Sequence, residues 1–412
     1  CKPPLEPNEV ARIVRNISRY EPDQVAERLA LGPDPEVNLE GIVNQGKAKE
    51  ELAKPETNDP GPTPASMFRV PGLIGEVMDY CLESAPFPDP ALAFCGALAL
   101  QACLAGRKVR DEFDFRTNLY ILALAESTVG KEWPRKINAQ TLKRAGAGSL
   151  CGERFASGEG LQDALYLSPT MLFQTDEIDG LLLSINKAKD AKHESIMGAL
   201  LTLYTSSNGE FKMRRHSKQE VVKLIDQPCL VLYGTAIPAH YYAALSDRML
   251  TNGFFGRTIL FESGEKPDGR MARTMRVPDS IVAKAKQWID FKPSGNLEPL
   301  EPAEISYTPE ALEVLAEYRG MVGFEYRKVQ RAGESTAATI WGRAVEASCK
   351  LALLYAISDG LDGALIGIEA FTWASALITH QVRRALWQVS RSADNEWEAD
   401  AQRCLAFVRG AG

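Results

Sequence analysis

The 412-residue sequence has few of the residue patterns that mark a disulfide scaffold or a metal protein. Its 8 cysteines are scattered without a Cys-x-x-Cys pair, and its 4 histidines do not cluster. Disulfide scaffolds are short and dense in cysteine, and a structural zinc site needs grouped ligands. We therefore expect reduced, buried thiols and no structural zinc centre.

Long apolar runs and excess basic charge are also missing. The most apolar stretch, residues 91–106, contains Gln101 and falls short of the roughly 18 to 20 apolar residues that a membrane span requires. It predicts a buried, alanine-rich helix instead. No basic-then-apolar leader opens the chain, so we expect a cytoplasmic protein with no membrane partner. The start at Cys1 rather than Met predicts a fragment or a processed product.

A net charge of −7 argues against a uniformly basic nucleic-acid coat protein. It leaves room for a local basic loop, because a polyanion responds to the local field as well as to the total charge. At this length the chain is expected to hold two or three structural units.

Composition divides the chain into four parts. Residues 1–50 are polar with a helical apolar period, which predicts a helical connector, and residues 51–67 are rich in Pro and Thr, which predicts a linker. Residues 68–300 have the composition of a compact α/β core. Residues 301–412 are mostly helical in pattern and are expected to end in a truncated segment.

Four apolar runs in the core predict strands, at 118–125, 171–175, 229–235 and 257–262. They are apolar throughout rather than alternating, which is typical of strands covered on both faces of a largely parallel sheet. Helical segments separate them, so the fold class is α/β with layered helices and strands.

The region after Pro302 begins its helices with recognisable caps. Thr308 is placed as an N-cap, with Pro309 at the first helical position where its missing N–H does no harm. Two further long helical segments are predicted at about 340–358 and 368–390.

The stretch "LALAESTVGKEWPRKI", residues 122–137, resembles a phosphate-binding loop with two of its signature residues replaced. Ala125 stands where such loops carry Gly, and Glu132 stands where they carry Ser or Thr. The order of elements is nevertheless that of a phosphate loop, because an apolar strand runs into a polar loop and Lys131 opens a helix. The candidate nucleotide-binding residues are Glu126, Ser127, Thr128, Val129, Gly130, Lys131 and Glu132.

Three further polar residues follow the predicted strands. Asp176 and Glu177 come directly after the strand "MLFQT", and Thr235 closes the strand "CLVLYGT". Ligands in open α/β sheets bind at the carboxyl ends of strands. We therefore expect Asp176 to hold Mg²⁺, Glu177 to polarise water, and Thr235 to sense the terminal phosphate. A surface turn at "DEID" and an ordinary strand-to-turn threonine are the alternatives.

Arg257 leaves the glycine-rich turn "NGFFG" and starts the last predicted strand. An arginine delivered to a phosphate across a subunit boundary stabilises charge in the transition state. A buried structural arginine is the alternative at this position.

A concentrated basic segment, "FKMRRHSK", lies between the acidic pair and Thr235. The pattern predicts a hairpin with Phe211 exposed, gripping a phosphate backbone with little reading of sequence. A solvated charged hairpin is the alternative. The candidate DNA-binding residues are Lys212, Arg214, Arg215 and Lys218.

With these residues in view, the chain resembles the ATPase half of the primase–helicase proteins of phages, prophages and plasmids, whose core is a RecA-like P-loop NTPase domain. The resemblance covers about residues 68–390. It rests on "VPGLIGEVMDYC", "ALALQACLAGR", the "NLY" strand, the Gly-Lys loop, the Asp-Glu strand end, the "RRHSK" loop, the "GT" turn and the Arg-led strand. Members of this group often carry an acidic residue after the lysine, as "GKEWPR" does here, so Glu132 is expected on the Mg²⁺ side of the site.

The resemblance implies an ATP-dependent DNA helicase that uses ATP and Mg²⁺ and moves on single-stranded DNA as a homo-oligomeric ring, with a hexamer favoured. It implies that Arg257 acts in trans, and that the setting is a bacterial host cell or a phage-infected cell. The segment "PPLEPNEVARIVRNISRYEP" is similar to the connector after a primase module, which implies such a module on the full-length chain.

Three rival functions stay open at this point. The alternatives to a helicase are an ATP-binding regulator with weak hydrolysis, a replication scaffold with a vestigial Gly-Lys pair, and a packaging or transfer ATPase that acts on duplex DNA.

Overall fold

The computed structural model describes residues 59–153, 157–187, 191–214, 223–245, 247–272, 274–295 and 300–410. Contacts group residues 57–389 into one compact unit and residues 1–56 with 390–412 into a second. Only 390–410 of the second unit is described, as the end of the last helix. The predicted connector at 1–50 lies outside the described residues.

Strands are numbered here in chain order over the described residues. They are β1 (Val109–Asp111), β2 (Tyr120–Leu124), β3 (Cys151–Gly152), β4 (Thr170–Thr175), β5 (Glu210–Lys212), β6 (Leu224–Asp226), β7 (Cys229–Ala236), β8 (Thr258–Glu262) and β9 (Ala303–Ile305).

The α-helices are numbered in the same way. They are α1 (Gly72–Ser84), α2 (Pro90–Leu104), α3 (Glu132–Arg144), α4 (Gly158–Leu167), α5 (Ile178–Lys187), α6 (Ala191–Thr205), α7 (Pro238–Ala244), α8 (Asp247–Thr251), α9 (Phe254–Arg257), α10 (Asp279–Asp290), α11 (Pro309–Arg331), α12 (Ser335–Ile357) and α13 (Ile368–Gly410).

A five-stranded parallel sheet in the order β3-β4-β7-β2-β8 forms the centre of the 57–389 unit. All four predicted strands are confirmed to within two residues, and their mostly apolar, buried side chains match a sheet covered on both faces. The strand β3 is an addition, since its 2 residues carry no apolar run. The α/β fold class is therefore confirmed.

Helices cover the two faces of this sheet. The Tyr233 hydroxyl on β7 donates to the Leu92 carbonyl on α2 at 3.4 Å. At the next residue, a Cβ added to Gly234 would lie 2.6 Å from Ile178 of α5. Successive residues of a strand point to opposite faces, so α2 and α5 lie on opposite sides of β7. The predicted alanine-rich helix is thus confirmed as α2, and it is buried along nearly its whole length.

The strand register brings several carboxyl ends to one edge of the sheet. Leu124, the last residue of β2, lies opposite Ala236 of β7 on one side and Glu262 of β8 on the other. On β4, Thr175 lies opposite Gly234. The chain segments that leave β2, β4 and β7 therefore start side by side, and we call this side of the sheet the carboxyl edge.

The C-terminal helices begin as predicted. The Thr308 side chain caps α11 by accepting a hydrogen bond from the Ala311 N–H at 3.3 Å. The helices α12 and α13 contain the predicted segments 340–358 and 368–390 almost entirely. Among the described residues, no helix combines the length and the apolar composition that crossing a membrane requires. Cys81, Cys95, Cys103, Cys151, Cys229 and Cys349 are free thiols.

Candidate nucleotide site

The loop after β2 has the curvature of an anion-binding turn. Thr128 and Gly130 adopt left-handed conformations with φ of 65° and 76°, and Lys131 returns to a right-handed one at φ −51°. Such alternation turns successive N–H groups toward one side. A positive φ is uncommon for a residue other than glycine, and such strain gathers at functional sites. The helix α3 then starts at Glu132, so its positive end faces the same loop.

The two replaced signature residues are accommodated without strain. Ala125 keeps φ outside the left-handed region, so the missing glycine costs no backbone energy. The Glu132 carboxylate lies 3.8 Å from the Lys136 Nζ, one turn along α3, in an exposed ion pair. In this arrangement Glu132 has Lys136 as its charged partner.

The Lys131 side chain is folded back on its own loop. Its Nζ donates to the Ala125 carbonyl at 3.1 Å. That carbonyl directly follows β2, where the loop that leads to α3 begins. The lysine is therefore held beside the loop by one hydrogen bond to the backbone, which it can exchange for another acceptor.

Asp176 is the centre of the polar contacts at the carboxyl edge. One of its oxygens accepts from the Thr235 hydroxyl at 2.7 Å, and the other accepts from the Arg135 guanidinium at 2.7 Å. Partial burial acts to raise the pKa of this carboxyl, but the Thr235 hydrogen bond and the Arg135 charge outweigh it. The pKa of Asp176 is therefore lowered, and its carboxylate is ionised. The structure thus brings together Asp176 and Thr235 from β4 and β7.

Glu177 is exposed and held in a strained conformation. Its φ is 51°, and its N–H donates to an Asp176 oxygen at 3.1 Å. Its carbonyl accepts from the Gly180 N–H at 2.9 Å, which starts α5 directly behind it. The backbone thus fixes an exposed glutamate next to Asp176, in a conformation that glutamate rarely adopts.

Arg135 was not predicted as a site residue. It lies one helical turn after Lys131 and pairs with Asp176 across the space between α3 and β4. The sequence signal was present in the arginine of "GKEWPR", because residues four apart share a helix face.

A buried amide pair fixes α3 against β4. The Asn138 side-chain amide donates to the Gln174 Oε1 at 2.9 Å, and the Gln174 amide donates to the Arg135 carbonyl at 3.2 Å. Both side chains are buried. A buried, hydrogen-bonded polar pair of this kind favours one spacing between helix and strand, and so influences the distance between Arg135 and Asp176.

Lys266 is a second cation that the sequence did not reveal. Its Nζ donates to the Thr128 hydroxyl at 2.8 Å and lies 4.8 Å from the centre of the Phe87 ring. It comes from the loop after β8, the neighbour of β2 at the carboxyl edge. A lysine at that place in the chain has no local motif, so only the strand order reveals it.

Arg257 lies away from these residues, at the opposite edge of the sheet. It is the last residue of α9, directly before β8 begins at Thr258, and Thr258 pairs with Tyr120 at the start of β2. Its guanidinium donates to the Gly253 carbonyl at 2.8 Å and lies 5.7 Å from the Tyr204 ring. Within its own chain Arg257 is therefore a packed residue outside the loop region.

The basic segment begins as a hairpin, as predicted. β5 and β6 pair antiparallel, with Lys212 opposite Leu224, and Lys212 is exposed. Arg214 forms an ion pair with Glu159 of α4. Arg215 and Lys218 lie outside the described residues.

The predicted exposure of Phe211 is wrong. Phe211 is buried, whereas its neighbours Glu210 and Lys212 are exposed. Side chains alternate along a strand, so two outward-facing charges direct the residue between them into the core.

The described residues contain no group of three or more His, Cys, Asp or Glu side chains that would hold a metal ion by themselves. Mg²⁺ in nucleotide sites is usually held by one or two carboxylates together with substrate phosphates and waters. An ionised Asp176 beside an anion-binding loop fits that ligand set. Glu132 fits it only if it leaves Lys136.

Comparison with models of known protein families gives no match, and no curated protein matches the chain.

Proposed function

We propose that the chain is an ATP-dependent DNA helicase or translocase of a mobile-element replication system, with a RecA-like P-loop core that couples ATP hydrolysis to movement on single-stranded DNA. One observation carries the proposal. Three parallel strands in a row, β2, β7 and β4, end in the Lys131 loop, in Thr235 and in the Asp176–Glu177 pair. A phosphate loop, a phosphate sensor and an acidic pair at one sheet edge form the set that phosphoryl transfer needs.

The loop supplies the phosphate contacts in this proposal. The amides of residues 127–131 and the start of α3 attract the β- and γ-phosphates of ATP. Lys131 exchanges the Ala125 carbonyl for a phosphate oxygen, a stronger acceptor because it is charged. Lys266 beside Thr128 adds a second positive charge at the mouth of the loop.

The two residues of the acidic pair, Asp176 and Glu177, have different roles in this proposal. Asp176 holds Mg²⁺, which when bound neutralises charge on the phosphates, and Glu132 assists if it releases Lys136. Glu177 is exposed and held beside Asp176, so it serves to orient and deprotonate the attacking water. Thr235 contacts Asp176 directly, so a change at the phosphate reaches β7 through one hydrogen bond.

The remaining roles depend on a second copy and on DNA. Arg257 lies at the edge opposite its own loop, so its contact with a phosphate requires the site of a neighbouring subunit in a ring, with a hexamer favoured. Lys212 and Arg214, together with Arg215 and Lys218, touch the DNA backbone in the channel.

A second candidate, an ATP-binding regulator with weak hydrolysis, is favoured by one contact. The Arg135–Asp176 pair occupies one oxygen of the carboxylate that Mg²⁺ needs. A site in which this pair persists when nucleotide is bound holds ATP but turns it over slowly.

The test is the rate of ATP hydrolysis with and without single-stranded DNA at a fixed salt concentration, because backbone binding falls steeply with salt. We expect stimulation by single-stranded DNA, and a loss of about 100-fold or more in Lys131→Ala. Lys143→Ala, an exposed lysine at the far end of α3, is the matched control and should keep the wild-type rate.

Three outcomes contradict the helicase proposal in different ways. Binding without turnover supports the regulator. Stimulation by duplex DNA alone supports a packaging or transfer ATPase. A Lys131→Ala variant with unchanged binding and turnover removes the helicase and the regulator together.

A further inference from the structure

An aromatic groove lies between α11, α12 and the turn that follows β1, apart from the nucleotide site. Its volume is about 600 Å³, within the roughly 300–1,000 Å³ of typical small-ligand pockets. Its chemically distinctive lining residues are Phe113, Phe115, Tyr326, Trp341, Arg319 and Arg327. No carboxylate occurs among the described residues that line it.

Phe113 is presented to the groove by a fixed turn. The buried Asp111 carboxylate accepts from the Phe113 N–H at 3.0 Å and from the Phe115 N–H at 2.8 Å. Asp114 adopts a left-handed φ of 66° between the two aromatics. Phe113 nevertheless stays 47% exposed, with its ring 5.5 Å from Tyr307 on one side. A rigid turn that holds an aromatic ring in solvent is preorganised for a stacking partner.

Two cations in the groove have no partner among the described residues. Arg319 and Arg327 lie two turns apart on α11, both exposed, and neither forms an ion pair or a hydrogen bond with a described residue. Most other arginines in the described part of the chain are bound, for example Arg116 to Asp114 and Arg343 to Glu346. The groove therefore joins stacking surfaces to positive charge that is not neutralised.

We propose that this groove binds a short segment of single-stranded nucleic acid, with a base stacked on Phe113 and Tyr326 and the backbone phosphates against Arg319 and Arg327. Stacking on aromatic rings combined with a positive groove is the general mode of single-strand binding. A duplex does not fit this description, because its bases are stacked on each other. This site is independent of the nucleotide site, since neither ATP nor Mg²⁺ takes part in it.

The test is fluorescence anisotropy of a labelled oligothymidylate titrated with the full chain, without ATP, over a range of salt. Phe113→Ala should weaken binding roughly fivefold or more, the smaller end of the loss when a stacking ring is removed. Phe324→Ala is the matched control, because Phe324 is an exposed ring on α11 that does not line the groove. It should bind as the wild type does.

The arginines are tested by the salt dependence. The double variant Arg319→Gln with Arg327→Gln should make the negative slope of log K, the association constant, against log salt concentration less steep by roughly 1.4. Each phosphate contact on a single strand contributes about 0.7 to the size of this slope. Arg331→Gln, on the same helix outside the groove, should leave the slope unchanged.

Several results overturn this proposal. One is the absence of oligothymidylate binding, and another is a Phe113→Ala variant that binds like Phe324→Ala. A third is a change in the sedimentation coefficient of Phe113→Ala with no change in its affinity for oligothymidylate. That result would assign the groove to contact with a second copy of the chain. Loss of ATP hydrolysis alone contradicts only the proposed function, because the anisotropy assay contains no nucleotide.

Discussion

The carboxyl edge of the sheet and the opposite edge, where β2 and β8 begin and which we call the amino edge, both carry clustered charges. The two clusters differ in burial. At the carboxyl edge, Asp176 is about two fifths exposed and contacts Thr235 and Arg135. At the amino edge, Lys350 of α12 is almost fully buried, with Glu346 at 3.1 Å and the Asn118 side-chain oxygen at 3.0 Å. Its Nζ also lies 3.8 Å from the Tyr204 ring.

The comparison separates a site from a structural cluster. Burying a charge is costly unless partners compensate, so the contacts around Lys350 cannot be exchanged without a large loss of stability. The contacts around Asp176 face solvent, and a ligand can replace them. Accessible and exchangeable polar contacts, rather than charge alone, identify the carboxyl edge as the candidate site.

The largest effect is expected at the amino edge, in Glu346→Ala. Burial acts to raise the pKa of Glu346, but Lys350 and Arg343 outweigh it and hold the carboxylate ionised. Removing it leaves Lys350 buried without its anionic partner, so the free energy of unfolding should fall by about 3–5 kcal/mol. Urea denaturation measures this loss.

The control for that experiment is the apolar double variant Glu346→Leu with Lys350→Met. Replacement of a buried pair by residues of similar volume is often neutral. A Glu346→Ala variant that unfolds at the wild-type urea concentration would show that the amino-edge cluster is not structural, and the comparison would fail.

The next effect is a pH dependence from Asp111, the last residue of β1. Burial raises the pKa of Asp111 to about 6, against hydrogen bonds from the Phe115 and Phe113 amides and from Tyr307 that lower it. The folded state then holds this proton more tightly than the unfolded chain, whose pKa is near 3.8. Stability should therefore fall as the pH rises from 3.8 to about 6, by at most about 3 kcal/mol.

The difference between the wild type and Asp111→Asn isolates this group. Urea midpoints measured across the pH range should show the decline in the wild type and a flatter curve in the variant. Parallel curves for the two proteins would mean that Asp111 keeps an ordinary pKa.

A smaller effect is expected from Arg135→Gln at the carboxyl edge. The pair with Asp176 is partly exposed and screened, so its loss should lower the free energy of unfolding by about 1 kcal/mol or less at neutral pH. The pKa of Asp176 is depressed, so this stabilisation is present above the ordinary aspartate pKa and is lost as the pH falls through the folded value.

The free energies of unfolding of Arg135→Gln and of the wild type, measured across the pH range, should converge at acid pH. Arg144→Gln, which removes another partly exposed ion pair, with Asp279, gives the comparison for a pair outside the site. A loss as large as that of Glu346→Ala would mean that Asp176 belongs to a structural cluster of the amino-edge kind.

The smallest effect is expected from Glu132→Ser. Among the described residues the Glu132 carboxylate has only an exposed ion pair with Lys136, and serine is a residue that standard phosphate loops carry at this position. Both stability and the rate of ATP hydrolysis should therefore be nearly unchanged. A steady-state hydrolysis assay measures the rate. Complete loss of activity in this variant would give the carboxylate a specific catalytic role.

The sheet was predictable from the sequence because each central strand is a short apolar run between helical segments. Such runs need no long-range information to be recognised, and the order strand, loop, Gly130-Lys131, helix also lies within a short stretch of chain. The Asp176–Glu177 pair was found for the same reason, since it directly follows an apolar strand.

Contacts between distant segments were not predictable. The Arg135–Asp176 pair depends on the spacing of α3 from β4, which the buried Asn138–Gln174 contact sets. The approach of Lys266 to Thr128 depends on β8 lying next to β2. The burial of Lys350 within α12 depends on Asn118 and Tyr204 from other elements. Each requires the strand order, which no local pattern encodes.

The most direct test of the central claim is calorimetric titration of ATP, with Mg²⁺ present, into the wild type, Lys131→Ala and Lys143→Ala. The assignment of the nucleotide site to the carboxyl edge predicts binding to the wild type and to Lys143→Ala, and much weaker binding to Lys131→Ala. Equal affinity for all three proteins, or no binding to the wild type, would contradict it.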